Sequence, residues 1–149
     1  MLINITINGI KCQVEPGSTI LQAAQKMGIK IPTLCYDERL GAHGACRICV
    51  VEVKGARALV ASCSTPVAEG MEIQTDSPSV IEARKEILRL MIENHPLDCL
   101  TCEKSGNCTL QNLCYEYDIK EGGFNGEKKK LPIDDSNPFF TYDPNKCIL

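Results

Sequence analysis

The sequence has no surplus of basic charge. Its 16 Lys and Arg stand against 19 Asp and Glu, a formal charge of −3, which excludes the basic footprint that nucleic acid demands. It has no long apolar run either. Stretches such as Ile48–Val51 and Ala58–Ala61 fall far short of the ~20 residues that a bilayer span needs, so no membrane span is expected. No basic, then apolar, then small-residue leader opens the chain: Ile3, Ile5 and Ile7 alternate with Asn4, Thr6 and Asn8, a strand pattern. A cytoplasmic location is expected. At 149 residues the chain suits one domain, or a small domain with an appendage, and is too short for a large enzyme with its own substrate domain. Tryptophan is absent and phenylalanine occurs three times, whereas cysteine occurs ten times. Disulfides would suit a secreted scaffold, but in a reducing compartment closely spaced cysteines more often hold metal.

The organisation is legible in outline. Two alternating runs, Ile3/Ile5/Ile7 and Ile10/Cys12/Val14, flank Asn8-Gly9, the dipeptide of a tight hairpin turn. Glu15-Pro16-Gly17 breaks the pattern, and Ser18 is expected to cap a short helix carrying Ile20, Ala23, Ala24 and Met27 on one face, ended by Gly28. Ile48 to Lys54, Leu59 to Ser62, and Met71/Ile73/Thr75 read as further strands. Residues 1–77 are therefore expected to form one small α+β domain. At Ser77-Pro78 the period changes to that of a long helix, capped by Ser77 or by Ser79 with Glu82. Its expected face is Val80, Ala83, Ile87, Leu90 and Met91, broadened by Ile81, Leu88 and Ile92, and Asn94-His95-Pro96 stops it. A second short helix is expected after Cys108, with Leu110, Leu113, Cys114 and Tyr117 buried. Residues 122–130 lack an apolar period and read as a linker.

Two ligand sets carry the chemistry. Cys35, Cys46, Cys49 and Cys63 are spaced C-x10-C-x2-C-x13-C. Four soft, charged thiolates suit iron or zinc, and a C-x2-C pair directs two sulfurs to one centre with the intervening amides facing them. Gly41, Gly44 and Ala45 keep that loop small. Zinc sites more usually show two close pairs, which favours iron. His95, Cys99, Cys102 and Cys108 follow as H-x3-C-x2-C-x5-C, with Gly106 giving the segment freedom to fold round a centre. Taken alone, one imidazole and three thiolates also suit structural zinc.

The Asn-Gly turn, the Pro16-Gly17-Ser18-Thr19-Ile20 helix start, Pro32-Thr33-Leu34-Cys35 and Cys46-Arg47-Ile48-Cys49 resemble a β-grasp 2Fe-2S ferredoxin domain. The spacing is similar to the variant that opens the large iron–sulfur subunit of respiratory complex I, FeFe hydrogenases and NAD(P)-linked formate dehydrogenase α subunits. His95-Pro96-Leu97-Asp98-Cys99 through Cys108 resembles the 4Fe-4S motif of the same families, in which one histidine joins three cysteines. The resemblance implies a 2Fe-2S cluster on Cys35, Cys46, Cys49 and Cys63 and a 4Fe-4S cluster on His95, Cys99, Cys102 and Cys108. It also implies a 2Fe-2S ferredoxin-like domain over 1–77, a small helical 4Fe-4S domain over 78–119, and a linker with the start of a truncated ferredoxin-like segment over 120–149.

Cys12 and Cys114 read as small buried hydrophobes, and His43 as a solvent-facing loop residue. Asp143-Pro144-Asn145-Lys146-Cys147 resembles the opening of a bacterial-type ferredoxin run, C-x2-C-x2-C-x3-C, and the chain stops one residue before the next expected ligand. A fragment of a larger subunit is expected. Asp135-Ser136-Asn137-Pro138-Phe139-Phe140 looks most like formate dehydrogenase α subunits. No paired general acid and base, nucleophile elbow or phosphate loop is visible, so redox chemistry belongs to the clusters. The resemblance implies an electron-transfer module between a flavin-containing, NAD(P)H-oxidising partner and a catalytic subunit or domain, of formate dehydrogenase or else of FeFe hydrogenase or complex I type. The rivals are a structural zinc-binding interaction module and a free-standing ferredoxin.

Overall fold

A computed structural model describes residues 2–124 and 126–148. Two compact units divide the chain, residues 1–84 and 85–149.

The first unit opens with the hairpin. Strands β1 (Ile3–Ile7) and β2 (Ile10–Val14) pair antiparallel with Ile7 opposite Ile10. Asn8 and Gly9 take φ of 52° and 81°, as a two-residue type I′ turn requires. Helix α1 (Ile20–Lys26) is capped by Thr19 and not by Ser18: the Thr19 hydroxyl accepts from the Gln22 amide and the Gln22 side chain accepts from the Thr19 amide. The expected cap was one residue early because Ser18 and Thr19 are both competent, and only Thr19 has a Gln at the third helical position. The remaining strands are β3 (Val50–Val53), β4 (Val60–Ala61) and β5 (Glu72–Gln74). The sheet order is β2-β1-β5-β3-β4, with β1 and β5 parallel and the other pairs antiparallel. Ile5, Ile7, Val51 and Ile73 from the sheet meet Ile20, Leu21, Ala23 and Ala24 of α1 in one core, which also includes Cys49 and Cys63.

Two expectations on this unit are corrected. Ile10 is 59% exposed and Cys12 only half-buried, because β2 is the edge strand and little covers it. Residues 48 and 49 precede β3 as a turn, with Val50 N–H donating to Arg47 O.

Helix α2 runs Pro78–Asn94, with Ser77 receiving the Val80 amide on its hydroxyl and the Ile81 amide on its carbonyl. Ser77 is the cap, and Ser79 instead donates to Glu52. The buried residues of α2 step by four through Val80, Arg84, Leu88 and Ile92, while Leu90 and Ile81 are exposed. The second unit continues from α2 through the segment 95–108 into α3 (Thr109–Glu116), whose Leu110, Leu113 and Cys114 are buried. Beyond it, Asp134 and Tyr142 form an antiparallel bridge, and Asn145 bonds both backbone groups of Leu131. A 3₁₀ turn, Pro144–Lys146, follows.

Candidate metal centres

In the first unit, the loop from Cys35 to Cys49 is built on Asp37. Its carbonyl accepts from Leu40 and Gly41, and its carboxylate accepts from the Arg39 amide and guanidinium. Those Arg39 bonds hold the Asp37 carboxyl below its ordinary value. Gly41 and Gly44 take φ of 80° and 61°, which bends the backbone through a region that side chains disfavour. Arg47, between the two cysteines of the C-x2-C pair, also sits at φ 62°. Ile48 beside it is fully buried.

The four thiols meet in twos. Cys46 N–H donates to Cys35 Sγ at 3.5 Å, and the Cys35 and Cys46 thiols lie close enough to act on each other. Cys49 and Cys63 are the second pair of thiols that act on each other, and Cys35 also acts on Cys63. Backbone amides of Ala45 and Cys46 address Cys35, Ile48 addresses Cys46, and Gly44 addresses Cys63. Burial acts to raise the Cys35 thiol, but the bonds from Cys46 and Ala45 together hold it below its ordinary value. Burial raises Cys46, and burial with the Cys49 thiol pushes Cys63 up to about 11. Among the described residues, no three His, Cys, Asp or Glu side chains close on the position of a single metal ion. Two pairs of sulfurs, ringed by amide donors that favour negative sulfur, are a donor set suited to two adjacent metal ions.

In the second unit, His95 follows the end of α2 directly. Its Nδ1 lies 2.8 Å from Pro96 O. A carbonyl only accepts, so Nδ1 is the donor in this contact, which leaves Nε2 as the ring nitrogen free to face a metal. Turns link the rest of the set: Thr101 N–H donates to Asp98 O, Cys102 N–H to Cys99 O, and Ser105 N–H to Cys102 O. Gly106, at φ 81°, donates its N–H to Gln111 Oε1. Cys108 is the N-cap of α3 and gives no side-chain cap, which leaves its sulfur uncommitted to the helix. Cys114 is buried, and burial together with the charges of Cys108 and Cys99 raises its thiol. Sequence reasoning did not find Lys146, which bonds Asp98 at 3.0 Å and senses Cys102. That bond holds the Asp98 carboxyl low. Cys147 and His43 are exposed.

The first unit's sheet, single helix and cysteine loop define an iron–sulfur protein, and the chain belongs to the 2Fe-2S iron-sulfur cluster binding domain family, whose model matches residues 1–78. The NADH-ubiquinone oxidoreductase-G iron-sulfur binding region matches residues 84–122. The chain thus carries one 2Fe-2S and one 4Fe-4S cluster. It is 40% identical to the NADH-ubiquinone oxidoreductase 75 kDa subunit of Reclinomonas americana over 99% of this chain and 21% of that protein. It is 42% identical to NADP-reducing hydrogenase subunit HndD of Solidesulfovibrio fructosivorans over 99% of this chain and 26% of that one. A crystal structure of NAD+-reducing [NiFe]-hydrogenase in the H2-reduced state superposes with a TM-score of 0.91 at 35% identity, covering 99% of this chain and 62% of that chain. The chain therefore spans about a fifth to a quarter of the length of these curated relatives. It is an iron–sulfur module of the kind found in NADH-quinone oxidoreductases and pyridine-nucleotide-linked hydrogenases. None of the described helices is long and apolar enough to cross a membrane.

Proposed function

We propose that Cys35, Cys46, Cys49 and Cys63 hold the 2Fe-2S cluster, with Cys35 and Cys46 on one iron and Cys49 and Cys63 on the other. His95, Cys99, Cys102 and Cys108 hold the 4Fe-4S cluster. The pairing of the first four thiols under converging amides is the observation that carries this reading. When bound, each cluster supplies one-electron redox chemistry. The protein's own part is to fix the sulfurs, to donate amide hydrogen bonds to them and to hold His95 in the Nε2-ligating tautomer. A neutral imidazole in place of a thiolate removes one negative charge, which eases reduction of the second cluster.

On this reading the chain relays electrons between a flavin-containing, NAD(P)H-oxidising subunit and a catalytic subunit or domain, in the cytoplasm. The domains are 1–77, 78–119 and a ferredoxin-like opening at 120–149. The segment Asp135–Phe140 supports a formate dehydrogenase parent. The names of the relatives favour a second reading, the equivalent part of a hydrogenase or quinone-reducing complex.

Electron paramagnetic resonance on the anaerobically purified, dithionite-reduced chain, with iron and zinc counted on the same sample, tests the ligand assignment. Two signals are expected, one persisting at higher temperature and one seen only when cold. Cys49→Ser is expected to remove the first and spare the second, and His95→Ala to do the converse. A silent, zinc-loaded chain that also resists reconstitution with iron and sulfide refutes the reading and leaves a zinc-stapled interaction module.

A further inference from the structure

Among the described residues Arg84 is the one buried charged side chain, 4% exposed. It lies on α2 four residues after Val80, facing inward, and its Nη2 donates to Val50 O at 2.8 Å. The backbone explains why that carbonyl needs a donor. Along β3, Lys54 N–H donates to Glu72 O of β5, while Cys49 O accepts from Ser62 N–H beside β4. Alternation therefore turns the Val50 carbonyl toward the β5 side. There β5 has already ended, since its last residue Gln74 pairs with Glu52. The guanidinium completes the sheet where the strand cannot. Val50 is the residue after Cys49, so summed bond lengths put the Arg84 Nη2 no farther than about 13 Å from the Cys49 sulfur.

A neutral group would satisfy the carbonyl equally well and at less desolvation cost. A guanidinium adds a fixed positive charge beside a centre that gains one negative charge on reduction. We propose that Arg84 is a positioning and potential-setting residue for the 2Fe-2S cluster, holding the strand that leaves Cys49 and favouring the reduced state. This rests on the ligand assignment above. At an effective dielectric of about 20, one charge about 12 Å away changes a one-electron equilibrium by about tenfold.

The test is a redox titration of the 2Fe-2S resonance signal in the reconstituted chain with Arg84, Arg84→Lys, Arg84→Met and Arg84→Gln. Arg84→Met and Arg84→Gln are expected to lower the reduced-to-oxidised ratio at a fixed potential about tenfold, a midpoint lower by about 59 mV for one electron. Arg84→Lys, which keeps the charge, is expected to stay within about twofold of the unsubstituted chain. A merely structural role would weaken the signal without this split between charged and neutral variants. Neutral variants that titrate with the unsubstituted chain, a lysine variant that falls with them, or loss of the signal in both neutral variants each overturns the proposal. Absence of the 2Fe-2S signal from the unsubstituted chain instead overturns the ligand assignment, and the proposal falls with it.

Discussion

Turn statistics treat Asn-Gly and Gly-Gly as comparable in a type I′ hairpin, so Asn8→Gly is neutral if Asn8 serves only the turn. The structure predicts otherwise. The Asn8 side chain reaches the residue after β5: Thr75 N–H donates to Asn8 Oδ1 at 2.9 Å, and Asn8 Nδ2 donates to Thr75 Oγ1 at 2.7 Å. Thr75 is 4% exposed, so water cannot replace the lost partner. Removing the side chain forfeits one hydrogen bond worth about 0.5–1.5 kcal/mol and orphans a buried amide at about 1–3 kcal/mol. Glycine recovers about 1 kcal/mol by relieving the left-handed backbone at φ 52°. Asn8→Gly is therefore expected to cost about 0.5–3.5 kcal/mol, at roughly 4–8 °C of melting temperature per kcal/mol for a domain of this size. Asn8→Ala loses the same bonds with no backbone relief and is expected to fall about 1–2 kcal/mol further. Asn8→Asp keeps an acceptor for both Thr75 donors and is expected to stay within about 1 kcal/mol of the unsubstituted chain. The assay is thermal unfolding of the reconstituted chain by far-ultraviolet circular dichroism at one scan rate. An Asn8→Gly chain as stable as the original, or an Asn8→Asp chain as weak as Asn8→Ala, refutes the reasoning.

Two further outcomes follow. Ser77 and Ser79 both donate to Glu52 Oε2, at 2.5 and 2.9 Å, and hold its carboxyl below the ordinary value of 4.5. The stability from this depressed group is present above its unfolded value and lost as pH falls through the folded one, so Glu52→Gln is expected to melt lower at neutral pH and to converge with the original in acid, read by melting curves across that window. The Lys146–Asp98 pair has side chains 36% and 41% exposed, so Lys146→Met is expected to shift the denaturant midpoint only slightly, with the difference shrinking at high salt; a large, salt-insensitive shift measured by denaturant unfolding would show that the contact holds more than two surface charges.

What was legible in the sequence was local. The hairpin, the helix start at Ser77-Pro78 and the helix after Cys108 each depend on neighbours within a few positions, and each is where the pattern placed it. The cysteine spacing led us to expect two donor sets, but the pairing of Cys35 with Cys46 and of Cys49 with Cys63 arises from a loop folded by Asp37, Gly41 and Gly44. No spacing rule encodes that. Cys12 was misjudged because alternation says which residues share a face and not whether the strand lies at the sheet edge. Arg84 was overlooked because its charge argues for solvent, although its position four residues from both Val80 and Leu88 puts it on the buried stripe. Asn8 was read as a turn residue, and its bond to Thr75, 67 positions away, is invisible to local inspection.

Ile48 stands between the two cysteines of the C-x2-C pair and is wholly buried. On the proposed ligand assignment, hydrophobic packing and metal ligation share a single stretch of backbone there, and the two cannot drift independently. A substitution that trims or swells this side chain would surface first in the cluster's spectrum and potential, while the fold elsewhere still looked intact. Selection on the redox properties of this chain is in effect selection on the shape of its oily interior at position 48.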